Sequence, residues 1–128
     1  MILKLDFSSE APIYRQIHDE LVLGIATGDL AVGDRLPTVR ALANETGVNA
    51  MTINKAYQLL KQEGYITTDR RGGTMVAGKA ATVPLGKITG ELNLTAATAK
   101  LSGMTREEWL RNCEDAFDNP HHHVGEEG

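Results

Sequence analysis

The chain has 128 residues, 41% of them hydrophobic, 23% charged and only 5% aromatic, which suits one modest domain with an aliphatic core plus an appendage. Its single cysteine, Cys113, excludes an internal disulfide, and a reducing cytoplasm is the expected location. No apolar run approaches the length of a membrane span, and the early acids of MILKLDFSSEAPIY, without a small-residue cleavage pattern, predict no secretion signal.

The formal net charge is -4, but it is unevenly spread. Residues 1–34 hold two bases against six acids, residues 35–79 seven bases against three acids, and residues 80–128 four against eight. A basic middle between acidic ends is a local field that a polyanion would feel despite the negative total.

In chain order, the first helix is predicted over residues 12–27. Pro12 suits a first helical position, where its missing N–H costs nothing. Ile13, Ile17, Leu21 and Ile25 repeat at i+4 as a buried stripe, and Gly28 is the stop. His18 beside Asp19 reads as a surface residue. Residues 29–36, with Gly33-Asp34, read as a turn-rich connection. Pro37 starts a short second helix whose apolar face is Val39, Leu42 and Ala43, with Arg40 pointing away. Thr46-Gly47-Val48 then turns tightly into a third helix, predicted from Asn49 to about residue 63. Ile53, Ala56, Tyr57 and Leu60 form its inner face. Two short helices joined through a glycine turn make a helix-turn-helix pattern.

Beyond Gly64, residues 65–68 and 74–77 are rich in β-formers, and Asp69-Arg70-Arg71-Gly72-Gly73 between them reads as a flexible basic tip. This is a small hairpin, or wing. Residues 79–86, with Pro84 and Gly86, read as a linker. A fourth helix is expected over residues 87–102, carrying Ile88, Leu92 or Leu94, Ala96, Ala99 and Leu101, with breaks at Gly90 and Gly103. A fifth, over residues 105–117, opens with a capping box of Thr105 and Glu108 and shows the stripe Trp109, Leu110, Cys113, Ala116 and Phe117. The tail from Asp118, including His121-His122-His123, is expected to be flexible. The fold class is therefore mainly α with a small β-hairpin: a winged helix-turn-helix domain over residues 1–78, the linker, a helical segment over 87–117 and the tail over 118–128.

The outer face of the third helix carries Met51, Thr52, Asn54, Lys55 and Gln58, with no acid. A helix entering a DNA major groove needs donors and acceptors for base edges and no negative charge against phosphates, and its N-terminal residues are the ones that reach bases. Asn49, Met51, Thr52, Asn54 and Lys55 occupy that stretch. Arg40 is placed to hold the backbone, and Arg35, in the same basic segment, is a further expected DNA-binding residue. Arg70 and Arg71 would reach an adjacent groove, while Gly72 and Gly73 would let the hairpin backbone come close to the sugar-phosphate chain. A polar outer face is also what any surface helix shows; the basic hairpin directly after it is what favours DNA.

The stretch GDRLPTVRALANETGVNAMTINKAYQLLKQEGYITTDRRGGTMVA resembles the winged-helix domain of the GntR family of bacterial transcription regulators. The matching residues are Leu36-Pro37-Thr38, Arg40, Leu42-Ala43, Gly47-Val48, Thr52, Ala56-Tyr57, Leu60, Glu63-Gly64, Ile66 and Gly73-Thr74-x-Val76. With the preceding APIYRQIHDELVLGIATGDLAVG the resemblance covers residues 11–78. It implies DNA contacts by Arg40, by Asn49, Met51, Thr52 and Asn54, and by the wing glycines. Two departures stand out: Asn49-Ala50 replaces the family's small polar residue followed by arginine, and Arg71 stands where a glycine is common.

The C-terminal part is too short for an enclosed metabolite pocket and is similar to the short YtrA-type branch, where paired helices make a homodimer. Leu92, Trp109, Leu110, Cys113 and Phe117 are the expected dimerisation residues, since two isolated helices cannot bury them alone; the alternative is that they fold back on the winged helix of the same chain. A dimer would read double-stranded, palindromic operator DNA. The resemblance further implies a cytoplasmic repressor of its own operon and of a neighbouring transporter operon. The competing function is a winged-helix protein–protein adaptor, favoured by Ala50 and the acidic ends. No Ser/His/Asp set, paired-carboxylate site or phosphate loop points to an enzyme. No cofactor, metal or membrane contact is expected, and no small-molecule effector is assigned. Cys113 reads as a buried structural thiol and the three tail histidines as a weak, unselective metal site at best.

Overall fold

In the first helix of the chain, α1 (Ile13–Thr27), the apolar residues recur once per turn, and Ile17 and Leu21 lose all but about a hundredth of their accessible surface. The computed structural model describes residues 3–120. Pro12 sits just outside α1 as its N-cap instead of at the first helical position, and Gly28 closes the helix.

The connection read as turns contains a two-residue strand, β1 (Arg35–Leu36). The second helix, α2 (Val39–Thr46), begins two residues later than Pro37, because Thr38 is its N-cap: the Thr38 hydroxyl oxygen accepts the Ala41 N–H at 3.0 Å. Pro37 instead offers its carbonyl to the Tyr57 hydroxyl at 2.8 Å. Burial, then the negative field of Glu45, pushes that phenol up to about 12, so it stays a donor. The third helix, α3 (Ala50–Gln62), starts after Asn49, whose side-chain oxygen accepts the Met51 N–H at 2.7 Å.

Two further strands, β2 (Ile66–Thr68) and β3 (Thr74–Val76), make the expected hairpin, with Ile66 opposite Val76 and Thr68 opposite Thr74. The wing is nonetheless a three-stranded antiparallel sheet in the order β1-β3-β2, with Arg35 opposite Met75 and Leu36 opposite Thr74. A two-residue strand has no periodicity to read; it exists because β3 offers a free edge for it.

The core joins α1, α2, α3 and the sheet through Ile17, Leu21, Leu42, Ile53, Ala56, Tyr57 and Leu60, with Leu36, Val48 and Ile66 at its border. Each aliphatic side chain buried to this degree contributes about 1.5–3 kcal/mol. His18, expected at the surface, is only 6% exposed. Its Nδ1 lies 2.8 Å from Asp19 and its Nε2 2.6 Å from Glu63, the residue that ends α3. The histidine thus ties α1 to the end of the third helix.

The chain divides after Ala81 into two compact units. The second contains α4 (Leu85–Leu101) and α5 (Arg106–Asp118). α4 begins two residues before residue 87, inside the expected linker, with Pro84 at the N-cap position and its carbonyl accepting the Lys87 N–H at 3.0 Å; Gly90 lies within the helix and does not break it. Gly103 does separate the two helices. The capping box forms as read: the Thr105 hydroxyl oxygen accepts the Glu108 N–H at 3.1 Å, and the Glu108 carboxylate accepts the Thr105 N–H at 2.9 Å. Those bonds hold the Glu108 carboxyl below its usual range. Asp118, expected to open the tail, is the last residue of α5. The histidine run at 121–123 lies outside the described residues.

Candidate nucleic-acid interface

The α3 helix has no acid anywhere along it. Its inner face, Ile53, Ala56, Tyr57 and Leu60, is sealed into the core, which forces Met51, Asn54, Lys55 and Gln58 outward. Met51 keeps 80% of its surface exposed at the start of the helix. Thr52 is half-buried beside it. Asn49 is exposed, but its side-chain oxygen is occupied by the cap, which leaves its amide nitrogen to donate. Asn54 is exposed. The Lys55 ammonium lies 4.0 Å from the centre of the Tyr14 ring, a cation–π contact that fixes its stem against α1; the Arg15 guanidinium stands 5.7 Å from the same ring.

Arg40 is exposed on the first turn of α2. At the wing, Arg70 and Arg71 are exposed, and among the described residues neither they nor Arg40 forms an ion pair. Arg35 differs: its guanidinium is paired with the Asp69 carboxylate. The wing tip, expected to be loose, is a closed turn organised by Asp69. The Asp69 side chain accepts the N–H groups of Arg71 and Gly73, each at 2.8 Å. Desolvation pushes this carboxyl up, but the Gly73 and Arg71 N–H groups and Arg35 outweigh it and hold it below its usual range.

The left-handed conformation of the turn falls on Gly72, at φ 83, and no described non-glycine residue has positive φ. The arginine at position 71 therefore meets no backbone penalty. At position 73 the effect of a side chain is steric: a Cβ there would lie 3.2 Å from both Arg35 Nη1 and Asp69 Oδ2, so one of these side-chain ends would have to give way.

In the second unit, Leu92, Leu110 and Phe117 are exposed, while Trp109 and Cys113 are half-buried. Among the described residues no group of three or more His, Cys, Asp or Glu side chains is arranged to hold a metal ion, and no helix is long and apolar enough to cross a membrane.

The β1 strand and the Asp69 turn were missed in the sequence. A signal for the turn was present: aspartate at the first position and glycine at the fourth, Asp69 and Gly72, is a β-turn preference. The partnership of Arg35 and Asp69 had no local signal, because 34 residues separate them.

A helix-turn-helix with a three-stranded wing, and an acid-free third helix facing solvent, defines a DNA-binding transcription regulator. The family model "Bacterial regulatory proteins, gntR family" matches residues 13–76. The chain is 38% identical over 111 residues to the uncharacterized HTH-type transcriptional regulator YhcF of Bacillus subtilis, spanning 84% of this chain and 92% of that one. It is 34% identical over 117 residues to the HTH-type transcriptional repressor YtrA of the same organism, spanning 86% and 90%. Among solved structures it resembles AraR(DBD) in complex with operator ORX1, with a TM-score of 0.53, 29% identity, and coverage of 60% of this chain and 99% of that one. The chain belongs to the GntR family of bacterial regulatory proteins, as a YtrA-like member.

Proposed function

We propose that this regulator is a cytoplasmic homodimeric repressor that occupies a palindromic operator. The observation that carries the reading is the acid-free, solvent-facing start of α3, where Met51, Thr52 and Asn54 stand beside the amide of Asn49. In this reading α3 enters the major groove, Asn54 and Thr52 meet base edges, and the Met51 side chain rests against a thymine methyl or sugar. Arg40 binds a phosphate, as do Arg70 and Arg71 from the wing.

Pairing of two copies through α4 and α5 would cover Leu92, Leu110 and Phe117, with Trp109 and Cys113 behind them, and would present two recognition helices to a two-fold site. Repression is supported by the kinship with a repressor. The resemblance to the short branch supports the choice of targets, the regulator's own operon and a neighbouring transporter operon.

The test is fluorescence anisotropy of the full chain on DNA from upstream of its own gene, against scrambled DNA, over a salt series. Selective binding with a steep negative salt slope is expected. Arg40→Ala should make that slope shallower by about 0.9 and weaken both DNAs alike. Asn54→Ala should weaken the operator selectively, by about 1–3 kcal/mol. Weak binding that is equal for both DNAs and flat with salt would sink the reading for that site and favour the adaptor.

A further inference from the structure

An acid at the tip of a DNA-binding wing is a physical oddity. A carboxylate among the basic residues of a phosphate-facing hairpin repels the ligand, and its removal should strengthen binding unless it has other work. Asp69 has such work. One of its oxygens accepts both the Arg71 and Gly73 N–H groups, and the other accepts from Arg35. Its own N–H donates to the Gly73 carbonyl at 2.7 Å, and its carbonyl accepts the Gly72 N–H at 3.1 Å.

These bonds leave only Arg70 and Arg71 in the centre of the turn, exposed and without ion pairs. Arg35 comes from β1, on the far side of the central strand β3, so the pair also braces the wing across the whole sheet. The glycine at 73 belongs to the same arrangement, because a Cβ there would press on the side-chain ends of both members of the pair and make one of them shift.

We infer that Asp69 is a positioning residue for DNA recognition: its carboxylate fixes the wing turn so that Arg70 and Arg71 are presented to phosphates, and Arg35 acts through it and not on the DNA. The inference rests on the operator-binding reading above. It assigns Arg35 a role different from that of Arg40, although both are arginines of the same basic segment. It also makes a counter-intuitive demand: taking a negative charge away from this surface weakens binding to the operator.

The experiment compares wild type, Asp69→Ala and Asp69→Asn on operator and scrambled DNA, with melting temperatures and backbone ¹⁵N order parameters for residues 70–73 recorded in the absence of DNA. Asp69→Ala should lower operator affinity by roughly 10-fold, the scale of one lost contact in a specific site, and should lower affinity for scrambled DNA in the same direction, because the contacts it presents are to phosphates. Its order parameters at Arg70 and Arg71 should fall toward flexible values, below about 0.6. Asp69→Asn keeps an oxygen for the two N–H groups and should recover most of both the affinity and the order.

Operator binding by Asp69→Ala that equals or exceeds wild type, as expected for simple removal of a repulsive acid, overturns the inference. So does a loss in both variants that follows a fall in melting temperature, which would make Asp69 a residue of stability alone. Wild type that shows no preference for the operator defeats the operator-binding reading itself, whereas selective wild-type binding with an unimpaired Asp69→Ala defeats only the positioning role.

Discussion

The winged unit and the two-helix unit spend their apolar residues in opposite ways. In the first, Ile17, Leu42, Ile53, Ala56 and Leu60 are wholly removed from solvent, and three helices and a sheet close around them. In the second, Ala99 is the one buried position among the described residues, while Leu92, Leu94, Leu101, Leu110 and Phe117 face outward. Both units have well-made helix ends, Thr38 and Asn49 in one, Thr105 with Glu108 in the other. The contrast therefore lies in packing. Caps and propensity can shape an isolated helical hairpin, but burial between two helices is too small to stabilise it well. The first unit closes a core of its own, and the second leaves most of its large apolar side chains facing solvent.

Truncation of matched leucines tests that contrast most strongly. Leu60→Ala in the winged unit should cost about 2–5 kcal/mol in urea unfolding, since the side chain is fully buried and its neighbours come from several elements. Leu110→Ala, at 46% exposure, should change the stability of the isolated chain by no more than about 0.5 kcal/mol. Equal losses at low protein concentration would show that the helical unit closes a core of its own, and the contrast would collapse.

A second test acts on the proposed interface. Charge reversal of the apolar face by Leu110→Asp with Phe117→Asp should convert the dimer to monomer in sedimentation equilibrium. The winged unit should keep its melting transition. Operator affinity should drop by about 10²-fold or more, because two half-site contacts lose their linkage. A dimer that survives the double variant locates the interface elsewhere.

The sequence was most legible where structure is set within a few residues. The i+4 stripe of α1, the inner face of α3 and the Thr105 capping box are all short-range patterns, and they appear in the structure with boundaries shifted by a residue or two. Gly90 does not break α4: one glycine costs a helix about 1 kcal/mol, which the rest of the seventeen-residue helix absorbs. What escaped was long-range. β1 needs β3, about forty residues on, to become a strand. The Arg35–Asp69 pair turns two apparent surface charges into one brace. Asn49 was read as a base reader, and its capping bond gives the same residue a local task that the sequence equally allows. The outward face of α3 was thus readable from its short-range pattern, whereas the tasks that Asn49, Arg35 and Asp69 perform within the fold were not.

His18 is the clearest case of chemistry hidden by sequence distance, and it gives the smallest and most specific prediction. Burial drives its imidazole pKa down, yet the hydrogen bonds and charges of Asp19 and Glu63 outweigh that and raise it above 6.5. The Tyr65 ring meets it edge-on at 6.2 Å. A histidine whose folded pKa is raised binds its proton more tightly in the native state, so its contribution is fully present below the unfolded value of 6.5 and is lost as pH rises through the folded value. The difference in unfolding free energy between wild type and His18→Gln should therefore be larger at pH 6 than at pH 9. Because Glu63 ends α3, the same rise in pH loosens the tie between α1 and the C-terminal end of α3 and leaves the capped N-terminus of α3 in place. A pH-independent difference between the two proteins would mean that His18 folds neutral and holds the helix by packing alone.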